Sequence, residues 1–423
     1  MAPRLQPEAR RAILAAVAGN VLEWYDFAVY AYMATVLADK FFPATDRITS
    51  LLATFAAFGA GFLARPLGGI LIGRLGDVKG RKAALLATIA LMTLGTVGIG
   101  LIPTYHAIGV AAQILLVAAR LLQGFSAGGE WGGSTAFIVE WAPDNRRGLY
   151  GSLQQCSVAG GLLLGSSVAA SVNALFTPSL ADQWGWRLPF LLGGLLGPVG
   201  LYMRRNVAET PAFQRMTPPS TPPGRGQGSA GALLAARAFG FTVVWTVSYY
   251  VILTYMPTFL QRQAGLGRTP ALWASSVGLL AMVLSIPLAG WASDRIGRKP
   301  LLLASCLALA ALPYPLFQRL LGGATTATAI LVQVVLCLAV ALFSGPGPAA
   351  IAEIFPTRLR STWMSIGYSL AVTLFGGFAP FIATWLIQYT GEPLSPSYYV
   401  IAAALASMAV IWGARETAHL PLP

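Results

Sequence analysis

Two carboxylates in an apolar run raise the first question about this chain. The run Gly19-Asn-Val-Leu-Glu-Trp-Tyr-Asp-Phe-Ala-Val-Tyr30 holds Glu23 and Asp26 in a stretch otherwise apolar enough for lipid. An ionised acid at the centre of a membrane helix costs roughly 2.5–3.5 kcal/mol on insertion scales, so such acids mark functional sites by default. The chemistry open to them there is reversible proton binding. Arg65, Arg120 and Glu130 also fall in apolar stretches of the same half. Arginine stays protonated, and its planar fork grips a carboxylate through two parallel hydrogen bonds. Burial disfavours an ionised acid, whereas a neighbouring guanidinium favours it. An acid of the protein and a carboxylate of a substrate would therefore compete for one guanidinium. Protonating the acid frees the arginine, and that reciprocity is a coupling free energy between proton and substrate.

Helices must position these groups. The 423 residues are 56% hydrophobic and 10% charged, against about 25% charged in a soluble domain. The chain is therefore expected to be an all-α membrane protein. Apolar stretches of about 20 residues, enough to span, recur near 12–37, 51–75, 83–102, 108–133, 149–174, 186–203, 231–260, 271–292, 300–318, 327–350, 362–388 and 397–414. The basic start followed by an apolar run imitates a secretory leader, but the acids inside it predict an uncleaved first helix. A polar, Pro/Gly-rich stretch carrying Pro218, Pro219, Pro222 and Pro223 reads as a linker. The expected division is a six-helix bundle over 1–203, a cytoplasmic linker over 204–230, and a second six-helix bundle with a short tail over 231–423.

Lys40, Arg47, Arg187, Arg262, Arg268 and Arg319 fall on one side of these spans, and nearly all other Lys and Arg on the opposite side. The positive-inside rule then predicts both termini in the cytoplasm and a multi-pass protein of the cell (inner) membrane. It also accounts for the net charge of +13 without a nucleic-acid partner. Cys156, Cys306 and Cys337 lie in apolar segments without metal spacing, so neither disulfide nor metal is expected. Phosphate-binding, nucleophile-elbow and paired-histidine motifs do not occur, which argues against an enzyme and against ATP-driven pumping. No cofactor is expected. His106 reads as a loop residue.

The two halves repeat. Gly73-Arg-Leu-Gly-Asp77-Val-Lys-Gly80-Arg81-Lys82 returns as Gly290-Trp-Ala-Ser-Asp294-Arg-Ile-Gly297-Arg298-Lys299, 217 residues on. Glu140-Trp-Ala-Pro143 with Arg147 returns as Glu353-Ile-Phe-Pro356 with Arg360, 213 residues on. Such spacing implies parallel repeats about an axis along the membrane normal. Asp77 suits a cap on a neighbouring helix or a partner for Arg147.

These loop motifs resemble the signature of the major facilitator superfamily, as does Arg120-Leu-Leu-Gln-Gly124. The run Asn20-x-x-Glu23-Trp-Tyr-Asp26-Phe-x-x-Tyr30, with Arg65-Pro66-Leu-Gly68-Gly69, resembles the metabolite:proton symporter branch. The resemblance covers essentially the whole chain. It implies twelve transmembrane helices in two pseudo-symmetric six-helix bundles, alternating access, and a terminal-side gate built from Asp77, Arg81, Glu140, Arg147, Asp294, Arg298, Glu353 and Arg360. Val78 departs from the loop motif, where a basic residue is usual.

Charge is not shared between the repeats. The places of Glu23, Asp26, Arg65, Arg120 and Glu130 are taken in the second half by Gly240, Val243, Met282, Gln333 and Phe343. Asn20, Glu23, Asp26 and Tyr30 share a broad helix face, and Arg120, Gln123 and Glu130 share another. The expected site thus has Asp26 and Glu23 as proton carriers. Arg65, Arg120, Asn20, Tyr30, Gln123, Tyr249 and Tyr250 are the candidate substrate contacts, and Glu130 has no assigned role. The fifth helix lacks the Gly-Pro element of superfamily antiporters, which favours symport.

The expected function is proton-coupled symport of a small organic acid, a di- or tricarboxylate such as citrate or 2-oxoglutarate, by a monomer in the lipid bilayer. Relatives implied by the resemblance also carry shikimate, proline or betaine. A zwitterion or shikimate-like substrate is therefore the alternative, alongside a receptor that binds without transport. The first-helix motif of citrate and tricarballylate relatives generally reads Glu-Gln-Phe-Asp, where this chain has Glu23-Trp-Tyr-Asp26.

Overall fold

A computed structural model describes residues 7–79, 81–128, 131, 134–135, 138–139, 142–205 and 225–422. Among them are helices and connecting turns, with no strand. In the first half, α1 runs Pro7–Tyr32 and continues as Ala34–Phe41. Then come α2 (Arg47–Leu63 and Arg65–Lys79), α3 (Arg81–Leu101), α4 (Val110–Ser126), α5 (Arg147–Leu175) and α6 (Leu188–Arg205). The second half has α7 (Arg225–Ser248, Tyr249–Tyr255, Met256–Arg262), α8 (Arg268–Ile296) and α9 (Arg298–Ala311, Pro313–Leu321). It ends with α10 (Thr326–Ser344, Gly347–Glu353), α11 (Thr357–Ala371, Val372–Gly377, Ala379–Thr390) and α12 (Ser395–Trp412).

The twelve spans follow the hydropathy pattern. Seven stretches are long and apolar enough to cross a membrane unaided, and the bent pair Trp363–Gly377 and Ala379–Thr390 makes an eighth. Leu86–Leu101 and Val110–Ser126 are apolar but shorter. The expected linker falls largely on residues outside those described, with helix continuing to Arg205 before it and resuming at Arg225 after it. His106, expected in a loop, sits in the short exposed helix Tyr105–Ile108.

Breaks within spans have local causes. Pro66, Pro257, Pro313, Pro348 and Pro380 each stand in the first turn of a restarted helix, where the missing N–H has no partner to lose. Spans also break at Gly345-Pro-Gly-Pro348 and at Gly376-Gly377, the second with a turn of 40°. Two segments, Tyr249–Tyr255 and Val372–Gly377, are π-helical. Such bulges are frequent at functional sites because they displace side chains from the regular helical stripe. These two meet, for a Cβ on Gly376 would lie 2.7 Å from the Tyr250 ring.

Helices α2 and α4 approach backbone to backbone, because small residues stand at their contact. A Cβ on Gly124 would sit 1.5 Å from the Gly61 carbonyl oxygen. That proximity carries Arg120 and Arg65 into the middle of the bundle. Between the halves the longest seam is α5 against α8, where Ser166 Oγ meets Ser276 Oγ at 2.8 Å.

Gly124→Val should destabilise the protein by at least about 1–3 kcal/mol, the range for overpacking. Gly98→Ala, whose Cβ meets nothing within 4 Å, should be neutral or slightly stabilising. Thermal unfolding in detergent compares the two.

Candidate functional site

Asp26 does not meet an arginine directly; it reaches one through two neutral side chains. Thr96 of α3 is the polar neighbour of the Asp26 carboxylate. Gln123 Nε2 donates to Thr96 Oγ1 at 2.7 Å, and Arg120 Nη1 donates to Gln123 Oε1 at 2.6 Å. Arg120 Nη2 donates to the Phe58 carbonyl at 3.3 Å. Its guanidinium carbon lies over the rings of Phe27, Tyr30 and Phe58, at 5.1, 4.5 and 4.7 Å. Ring faces are negative, so three of them offset part of the desolvation of a fully buried cation.

Arg65 is held differently. Its guanidinium carbon lies 4.3 Å from the Phe62 centroid and 5.0 Å from that of Phe27. Its Nε and Nη2 are buried without a hydrogen-bond partner. Unmade hydrogen bonds to a buried charged group are expensive, so these N–H groups can take an acceptor.

Around Arg65 the two halves meet in aromatic rings. Phe62 packs on Tyr250 at 5.5 Å, and Trp24 lies 6.3 Å from both Tyr249 and Tyr250. Trp131 stacks on Tyr368 at 3.5 Å and contacts Trp245 at 6.0 Å. The hydroxyls of Tyr249 and Tyr250 and the indole N–H of Trp131 are buried and unpartnered. Tyr250 and Tyr368 both interact electrostatically with Arg65 and Glu23. Glu23 and Asp26 also line a small cavity between α1, α3, α4 and α6.

Other expected contacts are engaged in packing. Asn20 Nδ2 donates to Ser157 Oγ at 2.7 Å and to the Gln154 carbonyl at 3.3 Å, which ties α1 to α5. Tyr30 Oη donates to the Thr54 carbonyl at 3.0 Å, leaving its ring to Arg120. Gln123 has both ends of its amide in the relay. Asn20, Asp26 and Tyr30 lie on one broad face of α1 yet reach three different helices, α5, α3 and α2, because each step of three residues turns the stripe by about 60°. Glu130 and Glu140 lie outside the described residues, as do the side chains of Asp77, Arg81 and Arg360.

The halves touch at both ends of this layer. On the face distant from the chain's last residues, Tyr32 Oη donates to the Leu253 carbonyl at 2.8 Å. Arg268 Nη1 there reaches Asp182 Oδ1 at 3.1 Å. On the terminal face, Asp294 accepts from the backbone N–H groups of Gly148 and Leu149 at 2.7 and 2.9 Å, capping the start of α5 across the seam. Arg298 holds Asp294 at 2.7 Å and Glu353 at 3.2 Å, both in its own half. Arg147 pairs with Asp144 at 2.6 Å and reaches across to Glu353 at 3.5 Å.

The residues after α12 bind to the same cluster. Glu416 accepts from the N–H groups of Arg298 and Lys299, each at 2.9 Å, and so caps α9. Thr417 Oγ1 donates to Glu353 at 2.6 Å, and Arg147 Nη1 donates to the Leu420 carbonyl at 3.0 Å. Neither Thr96 nor this tail was legible in sequence: a threonine in an apolar helix and a lone acid in a terminal stretch carry no motif.

A family model described as "Sugar (and other) transporter" matches residues 11–218 and 235–423. The chain belongs to that family. This transporter is 34% identical over 425 residues to the "Glycine betaine/proline/ectoine/pipecolic acid transporter OusA" of Dickeya dadantii, covering 98% of this chain and 84% of that one. It is 34% identical over 429 residues to the "Proline/betaine transporter" of Escherichia coli K12, covering 98% and 85%. It is 36% identical over 406 residues to the "Citrate-proton symporter" of Klebsiella pneumoniae, covering 94% and 90%. Among solved structures, the partially occluded inward-open xylose transporter XylE from E. coli superposes with a TM-score of 0.80 at 19% identity, covering 97% of this chain and 99% of that one. That likeness establishes the fold: an all-α major facilitator with twelve helices in two bundles. The relatives are transporters by name.

Two outcomes follow from this geometry. Arg120→Lys keeps the charge but loses the fork that joins Gln123 to the Phe58 carbonyl. It should lower thermal stability by about 1.5–3 kcal/mol, as for hydrogen bonds to charged groups, and wild-type stability in detergent would contradict it. Burial raises the pKa of Glu416, but the amides of Arg298, Ala418, Lys299 and Thr417 outweigh this and leave it below its ordinary 4.5. Its stabilisation is therefore complete above that value and lost as pH falls below it. Glu416→Ala should cost about 0.5–2 kcal/mol at neutral pH, the worth of a helix cap. The gap to wild type in thermal scans should narrow as pH falls below 4.5.

Proposed function

We propose that this transporter carries a small zwitterion of the betaine or proline type together with a proton, by alternating access. The observation that carries the reading is Arg65, with two buried unpartnered nitrogens, beside a cluster of tryptophan and tyrosine rings. A carboxylate binds the open edge of the guanidinium. A quaternary or secondary ammonium group suits the ring faces, as in aromatic cages for such cations. The names of the relatives in Dickeya and E. coli support the same substrate class.

This replaces the organic acid expected from the count of arginines. Arg120, half of that count, is engaged by Gln123, the Phe58 carbonyl and three rings. Glu23 and Asp26 balance Arg65 and Arg120, so a neutral zwitterion fits this layer without further positive charge. A carboxylate substrate remains the second reading because of the 36% identity to a citrate-proton symporter.

Asp26 is the proposed proton carrier. While it is ionised, Thr96 donates to it and accepts from Gln123, which holds Arg120 on its other side. A protonated Asp26 is itself a donor, so the Thr96 hydroxyl must turn and its hold on Gln123 changes. Proton occupancy is thus conveyed to Arg120, and by charge to Arg65, through neutral groups. The gate on the terminal face consists of Asp294 on the α5 start and Arg147 near Glu353. Those links are caps and a long ion pair, which can break without separating the closer pairs inside the second half. Both termini face the cytoplasm of a bacterial inner membrane in this reading, which the Lys and Arg distribution supports.

Purified protein in liposomes with an inward proton gradient tests the substrate. Glycine betaine or proline should accumulate and citrate should not; citrate uptake alone would restore the carboxylate reading, and no uptake of any would leave a receptor. Asp26→Asn should abolish the gradient-driven accumulation, a loss of about 5–150-fold if coupling is of ordinary size, while substrate exchange persists. Arg65→Lys should raise the apparent KM about tenfold, as expected for one lost charge-assisted bond.

A further inference from the structure

A cavity of about 30 Å³ lies inside the first bundle, lined among the described residues by α1, α3, α4 and α6. That volume accommodates one or two water molecules, since about 10–15 Å³ of such space suffices for each. Asp26 stands at its inner end with Thr93, and Glu23, Thr88 and Ser126 line it. Gly19, Leu22 and Gly197 extend the lining by a turn or more toward the terminal face. Among the described residues, none of the second half takes part.

Two glycines of α6, one turn apart, keep this space. A Cβ on Gly193 would lie 3.0 Å from Asp26 Oδ1, and one on Gly197 would lie 2.3 Å from Thr93 Oγ1. Either side chain would cover the groups that give the cavity its polar wall. The opposite side of α1 is sealed against the second half by Trp24 and Phe27, which pack on Tyr249, Tyr250 and Phe62. The carboxylate therefore has polar surroundings on the inside of its own bundle and a wall of aromatic rings toward the seam between the halves.

We propose that Asp26 releases its proton to the terminal face through this cavity, by a route inside the first bundle that substrate never enters. The carboxylic O–H of Asp26 passes its proton to a water in the cavity. That water passes one of its protons onward past the hydroxyls of Thr93, Ser126 and Thr88, and Asp26 is left ionised and bonded to Thr96. Substrate leaves along the seam between the halves, so the two cargoes part inside the protein. The inference rests on Asp26 being the proton carrier.

The full chain in liposomes tests it with radiolabelled glycine betaine and proline, and with an entrapped pH dye as a second readout. Thr93→Val removes the hydroxyl at nearly constant volume, Ile89→Phe fills the cavity, and Thr93→Ser restores the hydroxyl. Thr93→Val and Ile89→Phe should slow proton-driven accumulation and the dye signal at least about fivefold, the lower end of ordinary site coupling. Substrate exchange at zero proton gradient should change less than about twofold on that scale, and Thr93→Ser should behave as wild type. Unchanged accumulation in both variants, or an equal fall in accumulation and exchange with detergent stability intact, would overturn the route. Should a variant lose detergent stability, the comparison of Thr93→Val with Thr93→Ser decides on the hydroxyl alone. Proton-driven accumulation surviving Asp26→Asn would instead overturn the carrier assignment, so the two failures are distinct.

Discussion

Four charges in a layer of protein poor in water set the terms for the rest of this structure. A buried ion loses several kcal/mol of hydration and keeps its charge only where dipoles, rings or counter-ions replace the water. Arg120 has two acceptors and three ring faces, and only its Nε lacks a partner. Arg65 has ring faces and two nitrogens without partners. In the proposed reading, that difference separates an element of the relay from a site that a ligand completes. The backbone contact of α2 with α4 follows from the same need, because both arginines must stand within reach of rings from α1 and α2.

The duplicated scaffold divides its labour. At the place of Arg120 the second half has Gln333, which donates to the Ile252 carbonyl at 2.7 Å inside the π-helical part of α7. At the place of Arg65 it has Met282, fully buried. The first half therefore holds the charge, and the second supplies rings and irregular helix. In the proposed cycle, irregular backbone suits the half that reshapes around a substrate, and fixed charge suits the half in which a proton comes and goes.

On the terminal face the distribution of bonds is equally uneven. Arg298 makes its short pairs with Asp294 and Glu353 inside one half, whereas links to the other half run through backbone caps, a 3.5 Å pair and the chain's last turn. Parting two halves along such a seam exposes caps to water, which can replace them, and leaves no buried charge alone. The tail adds Glu416 and Thr417 to the same cluster, so closure on this face involves three separate parts of the chain.

Much of this was legible in residue order. Composition and hydropathy determine a membrane protein with twelve spans, because lipid demands long apolar helices and tolerates little else. A cap was expected of Asp77 and is seen at its counterpart in the repeat, Asp294, and the bends at Gly345 to Pro348 and Gly376 to Pro380 stand where proline and glycine fall. The acids and arginines could be named as functional because burying charge is costly wherever it occurs. Their partners could not. Whether Asp26 meets Arg120 directly or through Thr96 and Gln123 depends on the rotation of four helices about their axes, which no single helix encodes. The same holds for Arg65, whose ring partner Phe62 packs on Tyr250 of α7: π segments have no sequence signature, and they decide where Tyr249 and Tyr250 stand. Local chemistry thus determined which groups matter, and tertiary packing alone decided which of them stay open to a ligand.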